Sequence, residues 1–183
     1  KSCNSYDGKL KVGEDLGTAN IVLAVVDEKD NPIAGVSQEA KVVRDGIVVD
    51  YIGAVNILKK LKYDVEEMLK TNLNYSAVGV PPGIIGGNIK IMSNVVESVG
   101  MDVVDIVDEP TAAASVLGIQ DGAVVDVGGG TTGISILKEG KVIYTADEPT
   151  GGNHMTLVLG GNYGKYRKIH CDRRRAGAEA AVR

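Results

Sequence analysis

Apolar positions along the chain follow two periods, one of sheets and one of helices. Lys9 to Asp15 reads as a strand running into a Gly-Thr turn, and Ile21 to Val26 is a continuous, largely β-branched run suited to a sheet interior. Asp30-Asn31-Pro32 marks a turn, and Ile33 to Ser37 returns as a third strand, so this stretch predicts a meander. Asp45-Gly46 supports a second turn within residues 42–51. From Tyr51 to about Asn72 the period becomes helical, with Val55, Leu58, Leu61, Val65 and Leu69 on one face. Ala77 to Val80 predicts a short buried strand, ended by Pro81-Pro82-Gly83. Asn88 to Val99 predicts a helix closed by Gly100, and Val103 to Val107 a strand. Asp108-Glu109-Pro110 opens a further helix that runs through Leu117. Proline and acids are favourable at its start.

The second half then begins like the first. DLGTANIVLAVV from Asp15 aligns with DVGGGTTGISIL from Asp126. Each copy has a strand ending in Asp, a Gly-Thr turn and an apolar strand. A polar turn (DEKDNP or KEGK) and a third strand follow. This is an internal repeat of one supersecondary unit. Two copies facing each other present two Asp-Gly-Thr turns to one cleft.

Composition narrows the picture. A chain of 183 residues has room for one domain or two small lobes. Without Phe or Trp, its core must be mostly Val, Ile, Leu and Ala. The 24 glycines cluster, which suggests sites built from backbone rather than disorder. No apolar run reaches membrane-spanning length and no secretory signal is visible, so no membrane partner is expected. Cys3 and Cys171 read as free cytosolic thiols, and two His with two Cys lack metal spacing. The net charge of −4 conceals an asymmetry: residues 165–183 carry seven Lys or Arg and two acids, leaving 13 bases against 22 acids elsewhere. An acidic body argues against nucleic acid as a partner, and the basic tail reads as a solvated or poorly ordered end. The chain starts without Met, which marks it as a candidate fragment.

The glycine turns carry the candidate chemistry. Bare backbone lets N–H groups approach an anion, and threonine adds a hydroxyl. A strand-end aspartate repels phosphate but can hold a divalent ion through water, and the ion can bridge to phosphate. Two such turns suit a Mg-polyphosphate. No Walker-type loop is present, and Gly128 to Gly133 fits the dinucleotide fingerprint poorly because a strand follows it. In DEPTAAA, residues 108–114, the acids read either as ordinary capping of a helix N-terminus or as a Glu109 that points back to the cleft and positions a water for phosphoryl transfer.

DLGT at 15–18, DEPTAAA at 108–114 and DVGGGTTG at 126–133 together resemble the two phosphate motifs and the first connecting helix of the actin-like ATPase superfamily. VPPG at 80–83 and GGNHMT at 151–156 fall where chaperone and cell-shape relatives have similar segments. More narrowly, VVRDGIVVDYIGAV, the DEPTA helix, DVGGGTTGISILKEGKVIYTADEPTGGNH and LGGN resemble the ethanolamine-utilisation EutJ family across residues 10–164. The resemblance implies an α/β, actin-like (ribonuclease H-like) fold, with mixed sheets flanked by helices. It divides the chain into lobe I at 9–119 with the first phosphate motif and connecting helix, the start of lobe II at 120–164, and an atypical basic tail at 165–183.

It further implies ATP and Mg as cofactors. Asp15 and Asp126 would sit near Mg through water, and Asp126 would share catalytic work with Glu109, which orders the attacking water. Gly17, Thr18 and Asn20 would line one phosphate turn, and Gly128, Gly129, Gly130, Thr131 and Thr132 the other. Gly151 and Gly152 would open a helix near the nucleotide. Gly133 stands where active relatives commonly have an aspartate, Ala19 where a second hydroxyl is frequent, and no motif marks a catalytic lysine. Binding with slow hydrolysis is therefore the expectation.

The tail does not resemble the family, so the second lobe is expected to be incomplete and without most of its adenosine pocket. Function follows as a chaperone-like, ATP-binding cytoplasmic protein of ethanolamine utilisation, associated with its enzymes or with microcompartment proteins. The alternative is a non-catalytic scaffold for the same partners. A small-molecule kinase ranks last, for want of a substrate-binding signature. Exposed sheet edges would favour a homodimer.

Overall fold

The computed structural model describes residue 6, residues 8–84 and residues 86–163. Cys3, Cys171 and the segment 165–183 lie outside the described residues. Strands β1 (Lys11–Leu16), β2 (Asn20–Val26) and β3 (Pro32–Glu39) form the meander. A small hairpin follows, β4 (Val43–Arg44) and β5 (Ile47–Val48), and then helix α1 (Tyr51–Leu69). Next come β6 (Tyr75–Val80), α2 (Gly86–Glu97), β7 (Asp102–Asp108) and α3 (Glu109–Leu117). The repeat gives β8 (Gly122–Val127), β9 (Thr132–Lys138) and β10 (Lys141–Glu148), followed by α4 (Gly152–Tyr163).

Five strands make one mixed sheet in the order β3-β2-β1-β6-β7. β1 pairs antiparallel with β2 and parallel with β6, so the strand carrying Asp15 is central. The main core lies where α1 and α2 cover this sheet, around fully buried Ile21, Leu23, Leu58, Val65, Met92 and Val95. Burying each such side chain stabilises by about 1.5–3 kcal/mol. The second sheet is an antiparallel meander in the order β10-β9-β8, with Ala114, Val124 and Leu137 as a small core beneath α3.

The expected elements form, with shifted edges. β3 starts at Pro32, which pairs with Val26 beyond an irregularity at Val25/Val26. The first residue of an edge strand accepts proline because no ladder N–H is needed there. In α1 the buried stripe is Ala54, Leu58, Leu61, Val65 and Leu69. Val55 is only partly buried beside it. Asp50 caps the helix by accepting from Gly53 N at 2.9 Å, and this start puts residue 54 on the core-facing line. α2 begins two residues earlier than its apolar pattern predicts. It ends at Glu97, whose carbonyl accepts from Gly100 N at 3.0 Å.

Candidate functional site

The loop Gly17–Ala19 between β1 and β2 and the loop Gly128–Thr131 between β8 and β9 face each other. Their closeness explains the glycines. A Cβ on Gly130 would stand 2.6 Å from Thr18 Oγ1, and one on Gly129 would stand 2.8 Å from Ala19 Cβ. A Cβ on Gly17 would stand 2.8 Å from the Asn20 carbonyl oxygen within its own turn. Each turn is also braced from behind. Ala40 N donates to the Ala19 carbonyl at 3.1 Å, and Gly128 N donates to the Thr131 carbonyl at 2.9 Å.

Between the turns lies a cavity of about 220 Å³. Asp15, Gly17, Thr18, Asn20, Glu109, Asp126, Gly128, Gly129, Gly130 and Thr131 all line it, so most of the expected site residues meet. Three stand outside its wall. Thr132 commits its hydroxyl to the Thr150 carbonyl at 2.7 Å. Gly151 and Gly152 form the start of α4, where Gly152 N and Asn153 N donate to the Gly128 and Gly129 carbonyls at 2.9 and 3.0 Å. They hold the second turn by its far side.

Charge is concentrated here. Burial, then the charge of Asp126, pushes the Asp15 carboxyl up to about 6. Its Oδ1 is buried without a hydrogen-bond partner. Burial raises Asp126 as well. Glu109 is pushed up to about 8, first by burial and then by Asp15, Asp126, Asp147 and Asp108 in turn. α3 aims Glu109 at the cavity because Asp108 caps that helix, accepting from Thr111 N at 3.0 Å. Asp108 also accepts from the buried Ser135 hydroxyl at 3.0 Å, which pins α3 to β9.

Sequence reasoning missed Asp147. Asp126, Gly133 and Asp147 are in register across β8, β9 and β10, so the two acids flank a residue without a side chain. A Cβ on Gly133 would meet Pro82 Cδ at 3.0 Å and Pro110 Cδ at 3.3 Å. β9 is therefore packed tightly against the loop after β6 and the start of α3 at that point. Burial raises the Asp147 carboxyl, Thr131 lowers it again and Glu148 raises it. Its Oδ1 is buried without a partner.

No group of three His, Cys, Asp or Glu side chains among the described residues is close enough to hold a bare metal ion. The donor set fits a hydrated divalent cation instead. Hard carboxylate oxygens, one of them orphaned, face a cavity with room for water, and Mg characteristically keeps several waters. Turns stripped to backbone on either side fit a polyphosphate.

A strand-Asp-turn-strand unit used twice around one cleft defines a protein of the actin-like fold. The MreB/Mbl protein family matches residues 34–159. That is more than half of the chain, which belongs to this family and carries the EutJ resemblance expected from its motifs. It is 46% identical over 156 residues to the ethanolamine utilization protein EutJ of Salmonella typhimurium, covering 85% of this chain and 55% of that protein. The crystal structure of EutJ from Carboxydothermus hydrogenoformans matches with a TM-score of 0.85 at 49% identity, over 92% of this chain and 62% of that one. MreB5 of Spiroplasma citri bound to ADP shares the fold at 22% identity, with a TM-score of 0.65 over 85% and 58% of the two chains. The chain thus spans about half the length of the curated relatives it matches.

Proposed function

We infer that the cleft binds ATP with Mg, and that the protein acts in ethanolamine utilisation as a chaperone-like partner of that system's enzymes or of microcompartment proteins in the cytoplasm. The observation that carries this reading is the approach of two glycine turns to within side-chain exclusion distance around a carboxylate-lined cavity. Residues 9–119 act as one lobe and residues 120–164 as the opening of a second, hinged at α3. The relatives' names support the ethanolamine role.

In this reading the backbone of Gly17, Thr18 and Asn20 and that of Gly128 to Thr131 surround the phosphates from two sides. Asp15 and Asp126 hold the water shell of Mg, and Asp147 adds a carboxylate to that shell from across Gly133. Mg supplies the positive charge that lets polyphosphate enter an acidic cleft. Glu109 orients a water by accepting its hydrogen bond. Gly151 and Gly152 let α4 dock close behind the second turn. Hydrolysis is slow, because Ala19 offers no second hydroxyl to the first turn and Gly133 no carboxylate of its own.

A specific feature favours scaffolding as the second reading. The outer face of the second sheet leaves Val125, Val127, Ile136 and Tyr144 exposed. Large exposed apolar faces mark interaction surfaces.

Calorimetric titration with ATP in Mg, then in EDTA, tests the first reading. We expect Mg-dependent binding that weakens about tenfold or more in Asp126→Asn and in Asp147→Asn, equivalent to about 1.4 kcal/mol. Glu109→Gln should bind and fail to release phosphate. Equal binding with and without Mg, or an Asp126→Asn variant indistinguishable from the parent, would overturn it.

A further inference from the structure

A second cavity, of about 320 Å³, lies on the other side of the Thr18–Gly130 contact. Its volume is at the low end of small-molecule sites, about 300–1,000 Å³. The two cavities share Thr18, Val43 and Gly130 but differ in charge. The first is lined by Asp15, Glu109 and Asp126 and by no cationic side chain. The second is lined by Lys41 and Arg44 against a single acid, Asp45.

These cations sit on a fixed mount. Val42 and Val43 are buried beside them, and Val49 N and Asp50 N both donate to the Val42 carbonyl, at 2.8 and 3.1 Å. The hairpin turns tightly at Asp45 and Gly46, with φ of 49° and 77°. Its tip rests on Pro81, whose Cγ would stand 3.0 Å from a Cβ on Gly46. Among the described residues the ion pairs are Lys11–Asp30, Lys62–Glu66 and Lys70–Glu67, so neither Lys41 nor Arg44 is spent on one. Opposite them, His154 Nδ1 accepts from Gly151 N at 3.1 Å, which leaves Nε2 as the ring's donor position.

Two unspent cations, a threonine hydroxyl, bare backbone at Gly130 and an imidazole donor around one cavity have the chemistry of an oxyanion site. We propose that this cavity binds phosphate, with Lys41 and Arg44 as the residues that neutralise it, independently of Mg. It adjoins the acidic cleft and stands whether or not nucleotide binds there. The phosphate has two sources: the terminal group of a bound nucleotide or free inorganic phosphate.

The test titrates the full chain with inorganic phosphate in EDTA, by calorimetry and by phosphorus NMR line broadening. Lys41→Gln/Arg44→Gln should weaken phosphate binding about tenfold or more. Lys41→Arg/Arg44→Lys should retain it, and Asp126→Asn should leave it unchanged. Equal circular dichroism melting curves establish that the charge-removed variant is folded. Saturation with Mg and AMPPNP separates the sources: displacement of phosphate assigns the site to the nucleotide's terminal group, and co-binding assigns it to free phosphate. An unaltered affinity in the glutamine variant, or no phosphate binding by the parent chain at millimolar concentrations, overturns the proposal even where Mg-ATP binds. Phosphate binding that depends on Lys41 and Arg44, in a chain that ignores Mg-ATP, upholds this cavity and sinks the nucleotide reading alone.

Discussion

Gly151→Ala is the sharpest test of how the second turn is held. A Cβ there would stand 2.6 Å from the Gly128 carbonyl oxygen, 2.7 Å from Gly129 C and 2.8 Å from the Gly129 oxygen. All three atoms are backbone, so no side chain can swing aside. Opening the closest of them to an ordinary 3.4 Å contact needs a shift of about 0.8 Å. The bonds from Gly152 N and Asn153 N, at 2.9 and 3.0 Å, run across the same junction, and that shift stretches both past hydrogen-bond range. Each is worth about 1 kcal/mol, so the junction loses about 2 kcal/mol. Little else compensates, because Met155, Leu157 and Val158 are each more than half exposed. Hydrogen exchange reads the result directly: the amides of Gly152 and Asn153 should exchange about 30-fold faster. Gly13→Ala is the control, since nothing lies within 4 Å of its Cβ position. Exchange within about threefold of the parent chain at both amides would refute the claim that this contact locks α4 to the turn.

Two further variants probe stability. Glu14 is 4% exposed and both its side-chain oxygens lack a hydrogen-bond partner; burial pushes its carboxyl from 4.5 to about 7, with Ser76 and Lys62 partly offsetting this. Between those values the folded chain keeps a proton that the unfolded chain releases, so this group's stability contribution falls as pH rises from 4.5 to 7. Glu14→Gln should therefore be more stable than the parent by about 3 kcal/mol at pH 8 and nearly equal to it below pH 4.5 in urea denaturation; a pH-independent difference would contradict this. Asp108→Ala removes the α3 cap and one partner of the fully buried Ser135 hydroxyl, which keeps Thr111 Oγ1 at 3.0 Å. A loss of about 2 kcal/mol is expected, partly recovered by adding Ser135→Ala; no recovery would place the whole cost in the cap.

Much of this arrangement is legible in the sequence because it is local. The two Asp-Gly-Thr turns, the Asp108 cap and the α1 stripe each depend on residues a few positions apart. Asp147 escapes for a physical reason. Counting back from the hairpin turn in KEGK, with Lys138 opposite Lys141, an ideal ladder puts Ala146 opposite Gly133. A bulge between Val142 and Tyr144 inserts one residue and slides Asp147 into that place. A one-residue slip exchanges the faces of a strand, so the bulge decides that an acid and not an alanine stands opposite Gly133. Alternation alone cannot report it, since Val142, Ile143 and Tyr144 are all apolar and exposed. Lys41 and Arg44 escape likewise. They flank two buried valines beside a short hairpin, and only long-range packing, which puts Val43 with Thr18 and Gly130 around both cavities, brings that segment to the turns.

In the proposed reading, the carboxylates explain why such a cleft would couple stability to a cation. Asp15, Asp126 and Asp147 each raise Glu109, and Asp126 raises Asp15, so ionising any one of them makes the next harder. At neutral pH the cleft free of cations therefore keeps the Glu109 proton, which the unfolded chain gives up. A divalent cation bound there would reverse the sign of the local field, release that proton and favour the folded form by mass action. Protonated Glu109 also donates where the proposed reaction needs an acceptor for water. The cation would thus do two things through one electrostatic change: admit phosphate, and set Glu109 in its working ionisation state. Folding, binding and hydrolysis would then share one titration, centred on residues that two distant turns, a helix start and a bulged strand bring together.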